Sequence, residues 1–321
     1  MENTKPVIIF DTDMDTDCDD AGALAILLEY AKKDKADVAA IVTDCPDKYA
    51  PTACELICNW YGYRPMIGTI YDDEFPETDT DRYVRYRAHR KTLPEDIYYN
   101  RTTSRLLGKT DADYPSSVEV YRKTLSSAAD HSVIVLAVGF MTAIEQLWRS
   151  PADSFSDLDG FELFRKKVAF VVSMGDATYP SSDNYNFNYN MDREGAKVFF
   201  DRCPCPVYVS PDGMDVITGS SFSQFLSPGH PLRMIYEIYN QGPNRGRMSW
   251  DLIALLFALE PSSPLFKLES HGTVRYDDSC NVVYWEENGP RKDYQVTSTI
   301  PSTEMAGLLD KIMLGKASLA E

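Results

Sequence analysis

Along the first two thirds of the chain, short unbroken apolar runs alternate with stretches whose apolar residues recur every three or four positions. The unbroken runs predict strands at Val7–Phe10, Val38–Thr43, Met66–Ile70, Val133–Gly139, Val168–Met174 and Val207–Ser210. A run such as Val133-Ile134-Val135-Leu136-Ala137-Val138 has no polar alternate positions, as expected of a strand buried on both faces of a parallel sheet. The helical spacing predicts helices at about Ala21–Ala31, Pro51–Tyr61, Ser116–Ala129, Thr142–Arg149 and Arg193–Phe200. Right-handed crossovers joining these elements give an α/β fold, a doubly wound and mostly parallel central sheet with flanking helices, Rossmann-like, whose ligands lie at the carboxyl ends of the strands.

Two stretches break the alternation. From about Tyr71 to Tyr114 the chain is rich in Asp, Arg, Tyr and Thr with weak periodicity, which reads as a surface excursion or as a loop capping a pocket. In the last third, Ile235–Asn240, Trp250–Leu259 and Glu304–Met313 read as helices and Val274–Tyr276 with Val282–Trp285 as a hairpin. Gly and Pro-Asn steps in Gln241–Gly246 predict a mobile loop before Trp250-Asp251. The organisation expected is one domain over 1–321, with 71–114 as the excursion and about 260–321 as a C-terminal helical and hairpin extension.

The formal net charge of −17 on 321 residues turns the search for a ligand toward small neutral or cationic molecules. Nucleic-acid polymers and anionic membranes both want basic patches, and no apolar stretch approaches a membrane span. The seven cysteines are an odd number in mostly apolar or helical surroundings, and Cys203-Pro204-Cys205 lacks zinc or redox spacing. With no apolar signal region before Val7, a reduced cytoplasmic protein is expected, a removed leader being the alternative.

The densest chemical signal lies between the first strand and the first helix. Asp11, Asp13, Asp15, Asp17, Asp19 and Asp20 fall within ten residues. Carboxylates so crowded repel one another unless a positive charge lies among them, and a hard divalent cation neutralises several together. A solvated acidic loop is the plain alternative. An EF-hand loop fails, because Thr16 stands where glycine is needed and Gly22 where a bidentate Glu is needed. A phosphatase-like nucleophile at Asp11 or Asp13 leaves the Asp19-Asp20 pair unexplained. The segment reads best as the metal centre of an enzyme.

Further polar or glycine-broken steps end the other strands: Thr43-Asp44-Cys45-Pro46, Val138-Gly139-Phe140-Met141-Thr142, and Ser173-Met174-Gly175 followed by Asn184-Tyr185-Asn186 and the helix-opening Asp192. Ser249-Trp250-Asp251 opens a later helix. Together with Phe10-Asp11-Thr12-Asp13 and Asp19-Asp20-Ala21, these steps resemble, in chain order from about Val7 to Leu259, the inosine-uridine preferring nucleoside hydrolase family.

That resemblance implies calcium-dependent hydrolysis of the N-glycosidic bond of ribonucleosides, in purine and pyrimidine salvage. It implies Ca2+ ligation by Asp13, Asp20, Asp251 and the Val138 carbonyl, with Asp13 as general base. It places Asp19, Asp44, Asn184 and Asn186 at the substrate, and Met174 in the sugar pocket. Oxocarbenium-like charge on the ribosyl group is stabilised by nearby carboxylates, and a metal-activated water beneath the sugar is a suitable nucleophile. The partner expected is a ribonucleoside or another ribosylated small molecule, and the expected assembly is a homo-oligomer, dimer or tetramer.

Three departures from the family pattern stand out. The first loop is longer, so Asp15 or Asp17 is a rival for an assigned ligand position. Asp44 stands where the family has Asn, with Cys45 as a competing alignment, and Asn184 replaces a Glu. Trp250 stands where many members carry a His that protonates the leaving base. None of the histidines His89, His131, His230 and His271 lies in a matching motif, and each reads as a surface or core residue. Trp250 is therefore the candidate for base stacking, favouring purines over uridine.

Overall fold

The computed structural model describes residues 5–15, 17–71, 82–177, 186–277 and 282–316. Strands β1 (Val7–Thr12), β2 (Asp37–Thr43), β3 (Ile67–Thr69), β4 (Val133–Ala137), β5 (Val168–Met174) and β6 (Val207–Ser210) run parallel in the order β3-β2-β1-β4-β5-β6. Each predicted strand of the first two thirds is present, some shortened or extended at their ends. The short strands β7 (Ile217–Thr218) and β8 (Arg247–Met248) form a separate ribbon. β9 (Phe266–Asp277), β10 (Val282–Glu286) and β11 (Asp293–Ser298) extend the main sheet beyond β6, β11 pairing parallel to β6 and antiparallel to β9. The predicted hairpin is thus β9 with β10, and the Asp293–Ser298 strand was not among the expectations.

The first five helices among the described residues are α1 (Asp19–Lys32), α2 (Ala50–Tyr61), α3 (Val84–Arg90), α4 (Tyr99–Leu107) and α5 (Ser117–Ser127). Next come α6 (Thr142–Arg149), α7 (Gly160–Lys167), α8 (Phe187–Met191), α9 (Arg193–Arg202) and α10 (Phe222–Phe225). The last are α11 (Pro231–Tyr239), α12 (Trp250–Leu259) and α13 (Ser302–Met313). Helix α7 escaped the periodicity reading because its apolar stripe is short, yet its start carries a cap: the Asp159 carboxylate accepts from the Glu162 N–H at 2.8 Å.

Why the sheet is covered on both faces follows from the strands themselves. Ile8 and Phe10 of β1 join one core with α1, α12 and α13, while Ile9 between them joins a second core with α5, α6 and α9. β4 does the same, sending Ile134 and Leu136 to the first core and Val133, Val135 and Ala137 to the second. Side chains alternate faces along a strand, so a run apolar at every position must be buried twice. α12 is apolar around its whole circumference and is buried from Asp251 to Leu259, packed against α1 and β5.

This topology sets the site. The strand order reverses between β1 and β4, so the crossovers from these neighbours leave on opposite faces of the sheet. Their carboxyl ends open the crevice where α/β sheets bind ligands. The acidic loop leaves β1 there, and Val138-Gly139 leaves β4 beside it. Gly139 is required by close approach: a Cβ on it would lie 2.4 Å from both the Asp13 nitrogen and Asp44 Oδ1. Among the described residues, no helix is long and apolar enough to cross a membrane.

Candidate active site

A cavity of about 580 Å³ opens at the carboxyl ends of β1 and β5 and the start of α12. Asp13, Asp17, Asp19, Asp20, Asp176 and Asp251 line it, with Met174, Asn186, Asn188, Tyr239, Arg247 and Trp250. His89, Leu93 and Phe187 close another part of its wall.

The acidic floor is built by two helix starts. Asp19 and Asp20 lie in the first turn of α1 and Asp251 in the first turn of α12, where the positive ends of the helix dipoles favour carboxylates. The two starts touch: the Asp251 N–H donates to Asp19 Oδ2 at 3.1 Å. Thr12 Oγ1 donates to Asp20 Oδ1. Asp13, Asp19, Asp20 and Asp251 are each at most 2% exposed. Burial, followed by the charge of neighbouring aspartates, pushes the carboxyls of Asp19, Asp20 and Asp251 well above the usual range.

This donor set fits a divalent cation. The oxygens of Asp17, Asp19 and Asp20 lie within 4.8 Å of one another, and the buried Asp251 Oδ1 has no hydrogen-bond partner. An unpartnered buried carboxylate oxygen is costly, and a hard cation satisfies it while relieving the crowding. Carboxylates with no other ligand type suit such an ion. Asp13, Asp20 and Asp251 reach the same cavity, while Asp17 joins Asp19 and Asp20 in the tightest triad.

The lengthened loop divides its aspartates between tasks. Asp15 points away from the cavity wall and pairs with Arg90, while Tyr86 donates to it at 2.7 Å and Asn100 at 3.2 Å. Asp15 is therefore a bolt between the loop and the helices α3 and α4, and Asn100 fastens the same loop through the Met14 carbonyl at 2.7 Å. Asp17 instead faces the cavity, 2.6 Å from Arg247. Burial raises its pKa, but the Arg247 charge and the Asp19 hydrogen bonds outweigh that and hold it at about 2.

Other expected residues fall in distinct places. Met174, Asn186 and Trp250 line the cavity. The Val138 carbonyl accepts from Asn188 Nδ2 at 2.6 Å. Asn184 lies outside the described residues. Asp44 is fully buried and is not among the lining residues: its N–H donates to the Thr12 carbonyl at 3.0 Å, which continues the β1–β2 ladder, and its carboxyl packs behind Gly139 beside Asp11. Burial pushes Asp44 well up and Asp11 to about 7. Asp192 caps α9, accepting from the Gly195 N–H at 3.0 Å, and binds Arg82 at 2.6 Å.

Several cavity residues were not anticipated. Asn188 belongs to a second aromatic-Asn step, Phe187-Asn188, directly after Tyr185-Asn186, so the sequence offered two frames for one motif. His89, read as a surface or core residue, lines the cavity from α3 with its ring 4.9 Å from that of Phe187. Burial lowers its pKa. Arg247, directly after the Gln241–Gly246 segment expected to be a mobile loop, is held in β8 by pairing with Thr218.

No protein-family model and no curated protein sequence matches the chain. Solved structures do. The inosine-uridine preferring nucleoside hydrolase from Bacillus anthracis matches with a TM-score of 0.65 at 16% identity, over 97% of this chain and 99% of that one. The purine-preferring ribonucleoside hydrolase from Gardnerella vaginalis gives a TM-score of 0.65 at 15% identity, over 97% and 99%. The type III effector protein XopQ, complexed with adenosine diphosphate ribose, gives 0.67 at 15% identity, over 97% and 94%. Likeness across nearly the whole of each chain at such low identity is likeness of backbone, and the chain has the nucleoside hydrolase fold.

Proposed function

We propose that the protein hydrolyses the N-glycosidic bond of ribonucleosides, releasing ribose and free base with the help of a bound calcium ion. The observation that carries this reading is the buried carboxylate floor with its unpartnered Asp251 Oδ1, set where this fold opens its ligand crevice. The nucleoside hydrolases of the same fold support the choice of substrate.

Asp13, Asp20 and Asp251 would hold the ion, with Asp17 and Asp19 adjacent. The Val138 carbonyl, which the family resemblance adds to them, is not among the lining residues and would reach the ion through its second lone pair, since Asn188 Nδ2 already donates to it. Calcium suits a site of several carboxylates and a backbone carbonyl, and when bound it supplies oxygen coordination for a diol and lowers the pKa of water. The protein's own residues do the rest. Asp13 takes the proton from the attacking water, because it directly follows β1 at the cavity floor and is shielded from solvent. Asp19 accepts from the ribose hydroxyls, and Asn186 adds a further polar contact. The surrounding carboxylates stabilise positive charge on the ribosyl carbon as the bond to the base breaks. Met174 packs against the sugar, and the Trp250 ring offers a face to the base.

A second reading is hydrolysis of a larger ribosylated molecule, favoured by the likeness to XopQ complexed with adenosine diphosphate ribose. Ribose release from a panel of nucleosides and from adenosine diphosphate ribose, with calcium present, separates the two. Release from a nucleoside supports the first reading. Binding of ribose with no turnover of any member would instead make the protein a calcium-dependent sugar-binding protein.

A further inference from the structure

Arg247 brings a fixed positive charge into a cavity lined by carboxylates, and among the described lining residues it is the only arginine or lysine. Its Nη2 lies 2.6 Å from Asp17 Oδ2, and its guanidinium carbon lies 5.3 Å from the centre of the Tyr239 ring and 5.4 Å from that of Trp250. Its Nε is buried without a hydrogen-bond partner. The ion pair to Asp17 and a weaker contact from Nη1 to the Met248 sulfur at 3.6 Å use two of the five N–H donors of the guanidinium, so donors remain for a ligand.

The two partners come from opposite ends of the chain. Asp17 is carried by the lengthened first loop, which Tyr99 fixes by donating to the Asp17 carbonyl at 2.7 Å. Arg247 is carried by β8, three residues before Trp250. Trp250 directly precedes Asp251, and beside its ring there is a clamped arginine.

We propose that Arg247 is a catalytic residue on the base side of the cavity, donating hydrogen bonds to the departing base and stabilising the negative charge that builds on it. This rests on the hydrolase reading above. The bond from the ribosyl carbon to the base nitrogen breaks with its electron pair passing to the base, and the oxygen of water bonds to the same carbon. The water proton passes to Asp13, which returns it to solvent after the reaction, and the base takes up a proton from solvent, so ribose and neutral base leave and nothing else is consumed. Arginine keeps its proton throughout, which makes its contribution electrostatic rather than acidic. A guanidinium fork matches the carbonyl and ring-nitrogen edge of a 6-oxopurine and meets a donor amine on adenine, so inosine and guanosine are the substrates it favours over adenosine. Asp17 is the positioning residue that fixes the fork.

The test compares Arg247→Gln and Arg247→Lys with the wild type on inosine, adenosine and nitrophenyl riboside, whose leaving group needs no stabilisation. Removal of a preorganised donor costs roughly 100- to 1,000-fold in such sites. Arg247→Gln is expected to lose about that much kcat on inosine and little on nitrophenyl riboside, with Arg247→Lys between the two. Wild-type turnover of inosine should stay level as pH rises from about 7 to about 9, because no group near the ordinary histidine pKa must remain protonated. Equal losses on both substrates, no loss on inosine, or an alkaline decline that His89→Gln removes would each overturn the assignment. If melting shows Arg247→Gln unfolded, Arg247→Lys decides by the same comparison. Wild type that cleaves nitrophenyl riboside but no oxopurine nucleoside refutes Arg247 and leaves the hydrolase reading standing. Wild type that cleaves neither removes both.

Discussion

The floor of the cavity and its base-side wall are built on different principles. The floor comes from strand ends and helix starts: Asp13 at the end of β1, Asp19 and Asp20 opening α1, Asp251 opening α12. Its positions are fixed by the sheet ladder and by core packing, and its charges are nearly sealed from water. The wall gathers His89 from α3, Phe187 from α8, Tyr239 from α11, and Arg247 and Trp250 from β8 and the start of α12. Its members are drawn from separate elements that meet through ring contacts and the Arg247 guanidinium beside Tyr239 and Trp250, and one ion pair ties Arg247 to Asp17 of the first loop. A floor fixed by the sheet suits the part of a substrate that every substrate shares, and a wall assembled from separate segments suits the part that differs.

The sharpest way to break that comparison is Asp13→Asn. Loss of a general base is expected to lower kcat roughly 100- to 10,000-fold, equally for natural nucleosides and nitrophenyl riboside, because the water attack is common to both. A variant with bound calcium and near-normal kcat would move the base elsewhere on the loop.

Trp250→Ala should instead act on one side only. Stacking is worth roughly 1–3 kcal/mol per base, so turnover of purine nucleosides should fall about ten- to a hundredfold while nitrophenyl riboside is scarcely affected. Gly213 packs against Trp250, where a Cβ would lie 2.5 Å from the indole Cγ, so the ring also has a structural neighbour. Equal losses on both substrates would assign Trp250 to that support, and a preference for uridine in the wild type would remove stacking from the account.

Asp15→Ala belongs to neither side. It leaves Arg90 and Tyr86 facing an empty place beneath the loop. Breaking a buried pair by removing one partner costs about 3–5 kcal/mol where the other charge is left alone. Arg90 keeps Asp47 at 3.0 Å, so a smaller loss is expected, seen as a lower Tm, whereas calcium content in the folded protein should remain stoichiometric. Loss of calcium at unchanged Tm would make Asp15 a ligand.

The floor was legible in the sequence because its constraint is local. Six aspartates after an apolar run cannot be packed without a reason, and the periods of β1 and α1 on either side place them at a strand end. Asp251 was legible as a carboxylate in the first turn of an apolar helix. The wall was not legible, because nothing near His89 or Arg247 in sequence distinguishes them from other charged surface residues; only the packing of α3 and β8 brings them into the cavity. Asn188 was hidden differently, by two overlapping aromatic-Asn steps that local pattern cannot rank. Asp44 shows the converse, a strand-end carboxylate that the family resemblance places at the substrate and that packs behind Gly139, outside the cavity lining.

If the proposed function holds, the carboxylate floor binds a calcium ion that ribosyl hydrolysis requires. Turnover of nitrophenyl riboside before chelation, after complete removal of metal and after return of calcium tests it most directly, with Asp20→Ala carried through the same series. Activity is expected to disappear on chelation, to return with calcium in the wild type and never to appear in Asp20→Ala, whose fold persists. Unchanged turnover in protein shown by elemental analysis to be free of metal would contradict it.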